Sequence, residues 1–186
     1  VRPVEHAVEL ALDAHATEAV LACMARLEAR GIASLRHGGA DLHPHVSLTV
    51  ATTGSLDDLA RALATPSGDR DGDLGGGLAT RVPALALSHV GAFLAPARVV
   101  FLGVTLHHAL ADLHATVLGR LAAAGIATRA LYDRGRWVPH CTLAMHVDSL
   151  AASFGALEDV DLPIESTPGS IGIVEVPTGR LVATVA

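Results

Sequence analysis

One tetrapeptide pattern limits the fold more than any other feature of the chain. His-x-Ser/Thr-Leu occurs twice, as His45-Val46-Ser47-Leu48 and as His140-Cys141-Thr142-Leu143, half the chain apart. The runs that contain them, His45 to Thr52 and Val138 to His146, read as strands. Alternate side chains of a strand share a face. His45 and Ser47 therefore point one way and Val46 and Leu48 the other, while His140 and Thr142 oppose Cys141 and Leu143. Each strand offers an imidazole and a hydroxyl to a cleft and needs an apolar layer beneath it.

The elements around the two motifs echo each other. A strand over Val4 to Leu12 and a helix over Ala14 to Arg30, stopped by Gly31, precede the first motif; a short helix from Ser55 to Pro66 follows. Ser55 with Asp58 three residues on resembles a capping box. Ala33 to Pro44 reads as a loop or short strand, and the Gly- and Asp-rich stretch 66–83 as an exposed loop. Strands over Ala84 to Leu94 and Arg98 to Thr105 come next, then a helix over His107 to Ala124 closed by Gly125. Ile126 to Arg136 reads as a loop with room for a short strand. After the second motif, Asp148 is expected to cap a helix reaching Leu157, and two strands, Ile164 to Val176 and Leu181 to Val185, finish the chain around a turn at Pro177-Thr178-Gly179. This pattern implies an α+β or α/β architecture with two lobes and a central cleft.

Composition narrows the partners. Apolar residues make up 51% of the chain but aromatics only 3%, so the core is aliphatic, and stacking of several bases is disfavoured. The net charge is −6, and all 13 basic residues are Arg, with no basic cluster. Wrapping of a long nucleic acid is thereby excluded, whereas a nucleotide or RNA end needs only a few donors. Cys23 and Cys141 fall in a helical pattern and an apolar strand and read as buried free thiols. No signal peptide or membrane span is evident, which gives the expectation of a cytoplasmic protein without membrane contact.

Two imidazoles with two hydroxyls suit phosphodiester cleavage. With an ordinary pKa of about 6.5, one His accepts a proton from water or a ribose hydroxyl while the other protonates the leaving oxygen. Ser47 and Thr142 would bond the non-bridging oxygens, where negative charge is held. No metal or other cofactor is required.

The paired motifs resemble those of the two-histidine (2H) phosphoesterase superfamily, in particular its 2′-5′ RNA ligase-like branch, which includes RNA cyclic phosphodiesterases. Trp137-Val138-Pro139-His140-Cys141-Thr142-Leu143-Ala144 matches that family's second motif, and His45-Val46-Ser47-Leu48 its first, with Ser for the more usual Thr. The resemblance implies an α+β bilobal fold over residues 1–186, with pseudo-twofold-related lobes of antiparallel strands and outer helices around a central groove. It also implies metal-independent action on 2′,3′-cyclic or 2′-5′ phosphodiesters, as in RNA processing. Many relatives carry Arg or Lys where this chain has Val138 and Met145; Arg136 or His146 would have to compensate. His43, Tyr132, Arg136 and Trp137 are candidate groove residues, with core packing the competing role for Trp137 and a surface site for Tyr132.

Other readings stay open. Eleven histidines, including the His43-x-His45 pair and His107, His108 and His114, raise the possibility of a metal-dependent hydrolase, yet no His-Glu-x-x-His or Cys/His ligand spacing occurs. Asp69, Asp71 and Asp73 start like a calcium loop, but Leu74 and Thr80 occupy its Gly and Glu positions. The alternative to catalysis is a non-catalytic nucleotide- or RNA-end-binding protein on the same scaffold.

Overall fold

The computed structural model describes residues 4–37, 43–64, 78 and 82–185. Eight strands form two four-stranded antiparallel sheets. The first contains β1 (Glu5–Ala11), β2 (His45–Ala51), β7 (Ile171–Val176) and β8 (Arg180–Val185), in the order β2-β1-β7-β8. The second contains β3 (Leu85–Phe93), β4 (Val99–Val104), β5 (His140–Ala144) and β6 (Ile164–Ser166), in the order β5-β4-β3-β6. The helices are α1 (Ala14–Ala29), α2 (Leu56–Ala64), α3 (His108–Ala123) and α4 (Leu150–Ala156). The expected α+β bilobal fold is present, and β1-α1-β2-α2 is echoed by β4-α3-β5-α4. The lobes are not the two halves of the sequence, however, because β7 and β8 return to the first sheet.

Helix ends follow the local chemistry. Asp13 caps α1 by accepting from the Ala16 amide at 2.9 Å. Ser55 and Asp58 exchange bonds as a capping box: the Asp58 amide donates to Ser55 Oγ at 3.2 Å and the Ser55 amide to Asp58 Oδ2 at 3.1 Å. Ser149, not Asp148, caps α4, accepting from the Ala152 amide at 3.2 Å.

Two expected strands are corrected. Ile164 to Val176 is not one strand but β6 and β7, in different sheets. The crossing falls at Pro168-Gly169, where proline has no ladder donor. Asp13 pins the crossing by accepting from the Thr167 amide while its own amide donates to Ser166 Oγ. The second motif strand is shorter than Val138 to His146: Pro139 delays its start to His140, and His146, at φ 57°, ends it in the left-handed region. The expected loop at 66–83, with Asp69, Asp71 and Asp73, lies outside the described residues except for Leu78, Val82 and Pro83; Leu78 is fully buried.

Both motif strands are edge strands of their sheets, and they pack against each other. Each also carries a β-bulge at the same motif position. Ser47 pairs with Glu9 and Thr49 with Val8, leaving Leu48 as the extra residue. Thr142 pairs with Phe101 and Ala144 with Val100, leaving Leu143. A bulge turns two successive side chains to one side. Leu48 and Thr49 are both buried, as are Leu143 and Ala144. Both leucines join the aliphatic core that runs beneath the two sheets. Leu48→Ala and Leu143→Ala should each cost about 2–5 kcal/mol of stability; urea denaturation of the two variants measures it.

Candidate active site

Strand register brings the first half of the site together. Antiparallel partners share a face, so Glu9 lies beside Ser47, and Ala11 beside His45. Val46 and Leu48 are buried, while His45 and Ser47 face an open cavity. That cavity has a volume of about 270 Å³, and Glu9, His43, His45, Ser47, Tyr132 and Thr142 line it. The alternation read from the sequence holds equally in β5, where Cys141 and Leu143 are buried and His140 and Thr142 partly exposed.

The two histidines are held alike through Nδ1 and differ at Nε2. His45 Nδ1 lies 2.8 Å from the His43 carbonyl, and His140 Nδ1 lies 2.7 Å from the Val138 carbonyl, two residues upstream in each case. A carbonyl only accepts, so Nδ1 carries a proton in both rings and Nε2 is the ring nitrogen left for other partners. Beyond that, the surroundings part. His45 Nε2 is 3.4 Å from Glu9 Oε2, and His43 Nε2 is 2.8 Å from Glu9 Oε1. The His140 ring instead packs on Phe93 and Phe101, with ring centroids 5.0 and 4.9 Å away. Burial there lowers the His140 pKa below the ordinary imidazole value; the bond to the Val138 carbonyl opposes this, and the charge of His45 adds to it.

His140 opens on a second cavity, of about 360 Å³, walled by Phe93, Pro96, Leu131, Tyr132, Arg136 and Trp137. Tyr132 lies on both cavities and bonds the Ser47 side chain; burial raises its pKa. Trp137 is largely core. It stacks on His114 at 4.0 Å, and its Nε1 donates to the Ser47 carbonyl at 3.0 Å, tying the second motif to the first. Arg136 is exposed in the turn before β5, so it does not share the face of His140 and Thr142 along the strand. His146 is exposed beyond the end of β5.

Other candidates have structural partners. His107 caps α3 and bonds the Ala84 carbonyl; His114 bonds the Tyr132 carbonyl at 2.9 Å, which helps hold Tyr132 in place. Both cysteines are buried, and burial pushes the Cys141 thiol up to about 12 and raises that of Cys23, which disfavours the reactive thiolate in both.

Sequence reasoning missed two residues that line the first cavity. Glu9 is 2% exposed and sits between the buried Val8 and Leu10 of β1. A carboxylate at such a position was its signal. Arg129, paired with Glu5, also lines the cavity and comes from a loop with no distinguishing pattern. No helix among the described residues is long and apolar enough to cross a membrane.

A family model described as the 2′-5′ RNA ligase superfamily matches residues 24–179. No curated protein matches. Among solved structures, E. coli LigT complexed with 3′-AMP is similar at a TM-score of 0.60 and 16% identity, over 100% of this chain and 96% of that one. The MHV ns2 PDE domain is similar at 0.58 and 16%, over 94% and 99%. A further structure of E. coli LigT, complexed with NADP+, has a TM-score of 0.54 and 15% identity, over 100% and 96%.

Because His114 is buried and its desolvation lowers its pKa, the unfolded chain binds a proton there that the folded chain refuses. Stability should therefore be full above the unfolded value of about 6.5 and fall as the pH drops through it. His114→Gln should remove part of that acid slope, read from urea midpoints on either side of that pH.

Proposed function

The chain belongs to the 2′-5′ RNA ligase superfamily, and on that footing we propose that it hydrolyses a 2′,3′-cyclic or 2′-5′ phosphodiester of RNA or a small nucleotide without a metal ion. The observation that carries this reading is the pair of Nδ1-anchored histidines on packed strands, alike in geometry and opposite in surroundings. His140, among aromatic rings, favours the neutral form and is the base: its Nε2 takes a proton from water as the oxygen attacks phosphorus. His45, facing the Glu9 carboxylate, is the acid: it gives its Nε2 proton to the leaving ribose oxygen as the P–O bond breaks. The 3.4 Å contact to Glu9 is longer than a good hydrogen bond, so a substrate oxygen can replace it. Ser47 and Thr142 donate to the non-bridging oxygens.

The apolar second cavity fits a nucleobase or ribose better than a phosphate, and the ligands named for E. coli LigT, 3′-AMP and NADP+, are nucleotides. A binding-only role is the second reading. Val138 and Met145, both exposed, stand where a phosphate-binding cation would serve.

Turnover of nucleoside 2′,3′-cyclic monophosphates in EDTA separates the two. Catalysis predicts that His45→Ala and His140→Ala each lower kcat by roughly 10²–10⁴-fold, with folding verified by circular dichroism. Full activity in both variants would overturn the mechanism, and saturable binding without turnover would favour the second reading. The proposed base is neutral over a wider range than an ordinary imidazole. The acid limb of kcat/KM should therefore lie below about pH 6.5.

A further inference from the structure

We propose that Glu9, His43 and His45 form a site for one divalent transition-metal ion of the zinc class, and that its occupancy blocks the phosphodiester site. One ligand atom from each residue lies within 4.8 Å of the other two. Zinc bonds to imidazole nitrogen and carboxylate oxygen are about 2.0–2.2 Å long, so the ligand atoms around it stand roughly 3.4 Å apart. The Glu9 oxygens are already 2.8 and 3.4 Å from the two Nε2 atoms. A small outward shift of His43 opens the centre.

Three features mark this as a built site and not a chance cluster. Glu9 is almost fully buried, and a carboxylate so placed needs a cation close by to offset its lost hydration. The outer support is present too: His45 Nδ1 bonds the His43 carbonyl, which leaves Nε2 as the ligand atom, as metal-binding histidines usually require. The ligands also rest on rigid backbone. Glu9 and His45 sit on paired strands, and the Leu12 amide bonds the Pro44 carbonyl at 3.2 Å, holding the residue between His43 and His45.

Two imidazoles and one carboxylate suit zinc, cobalt or nickel better than magnesium or calcium, which prefer all-oxygen shells. With three protein ligands a coordination position stays open, and the cavity beside it is lined by Ser47 and Thr142. A metal on His45 Nε2 occupies the nitrogen that must carry the proton. The ion therefore acts against the metal-free reaction.

The test is a titration of EDTA-stripped, dialysed protein with Co²⁺, followed by visible absorption, then competition by Zn²⁺. This reads binding whether or not the protein turns over any substrate, so it stands or falls apart from the proposed hydrolysis. One ion per chain is expected. Glu9→Gln and His43→Ala should each weaken binding by more than the roughly 10–100-fold typical of losing an outer-shell partner. His108→Ala, which alters an exposed histidine elsewhere, should bind like wild type. Wild-type protein that takes up no metal at micromolar concentration, or binding unchanged in both ligand variants, would overturn the site. In parallel, saturating Zn²⁺ should reduce cyclic-phosphate turnover to the level of His45→Ala, and EDTA should restore it. Turnover that rises with zinc would overturn the blocking role.

Discussion

The meeting of two sheet edges is the constraint on which everything else rests. β2 and β5 each have a ladder partner on one side only, and a free edge of that kind has to be occupied. Residues 127–129 take part of the β2 edge, the Thr52 amide donating to the Ala127 carbonyl and the Arg129 amide to the Val50 carbonyl; the two motif strands pack together, and the Trp137 indole bridges them by donating to the Ser47 carbonyl. A buried indole N–H left without an acceptor is costly, so this bond fixes the approach of the strands as well as their contact. It ties the strand of His45 and Ser47 to the residue that leads into the strand of His140 and Thr142. His114 supports the bridge from below, stacking on Trp137 and bonding the turn that carries Tyr132.

The lobes share a backbone plan down to a bulge at the same leucine, yet they differ at the residue across from each motif hydroxyl. Opposite Ser47 is Glu9; opposite Thr142 is Phe101. That single difference gives one histidine a carboxylate neighbour and the other an aromatic one. Environments that separate two otherwise equal titrating groups assign them different tasks. Under the proposed mechanism, this one position on each strand gives a near-symmetric fold its direction of proton flow.

Much of this was legible from the chain. The alternation of His45-Val46-Ser47-Leu48 and His140-Cys141-Thr142-Leu143 reported which side chains face the groove, because strand periodicity is a local property. The capping box at Ser55 and the stops at Gly31 and Gly125 were equally local. The partition of strands between sheets was not. Pro168-Gly169 is the local sign that Ile164 to Val176 divides, but the assignment of its two parts to different sheets rests on the ties of Asp13 to Ser166 and Thr167, more than a hundred residues away in sequence. Glu9 escaped for a related reason. Its role depends on β1 pairing with β2 in one register, and a register across a helix cannot be read from either strand alone. Trp137 was legible as a motif residue, but its buried stacking on His114, beside its place in the wall of the second cavity, rests on a contact that no spacing rule supplies.

Glu9 also shows how stability and chemistry are coupled in this fold. A carboxylate buried to this degree costs several kcal/mol unless a cationic partner meets it. The groups that face it are the imidazoles of His43 and His45, so the carboxylate beside the proposed acid is also a group in need of a partner. Replacing Glu9 with an apolar residue relieves the burial cost and strips His45 of the neighbour that sets it apart from His140. The same carboxylate is chemically suited to hold a metal against His45 Nε2. Under the proposed mechanism, proton and metal compete for that one nitrogen, and the reaction runs only when the proton holds it.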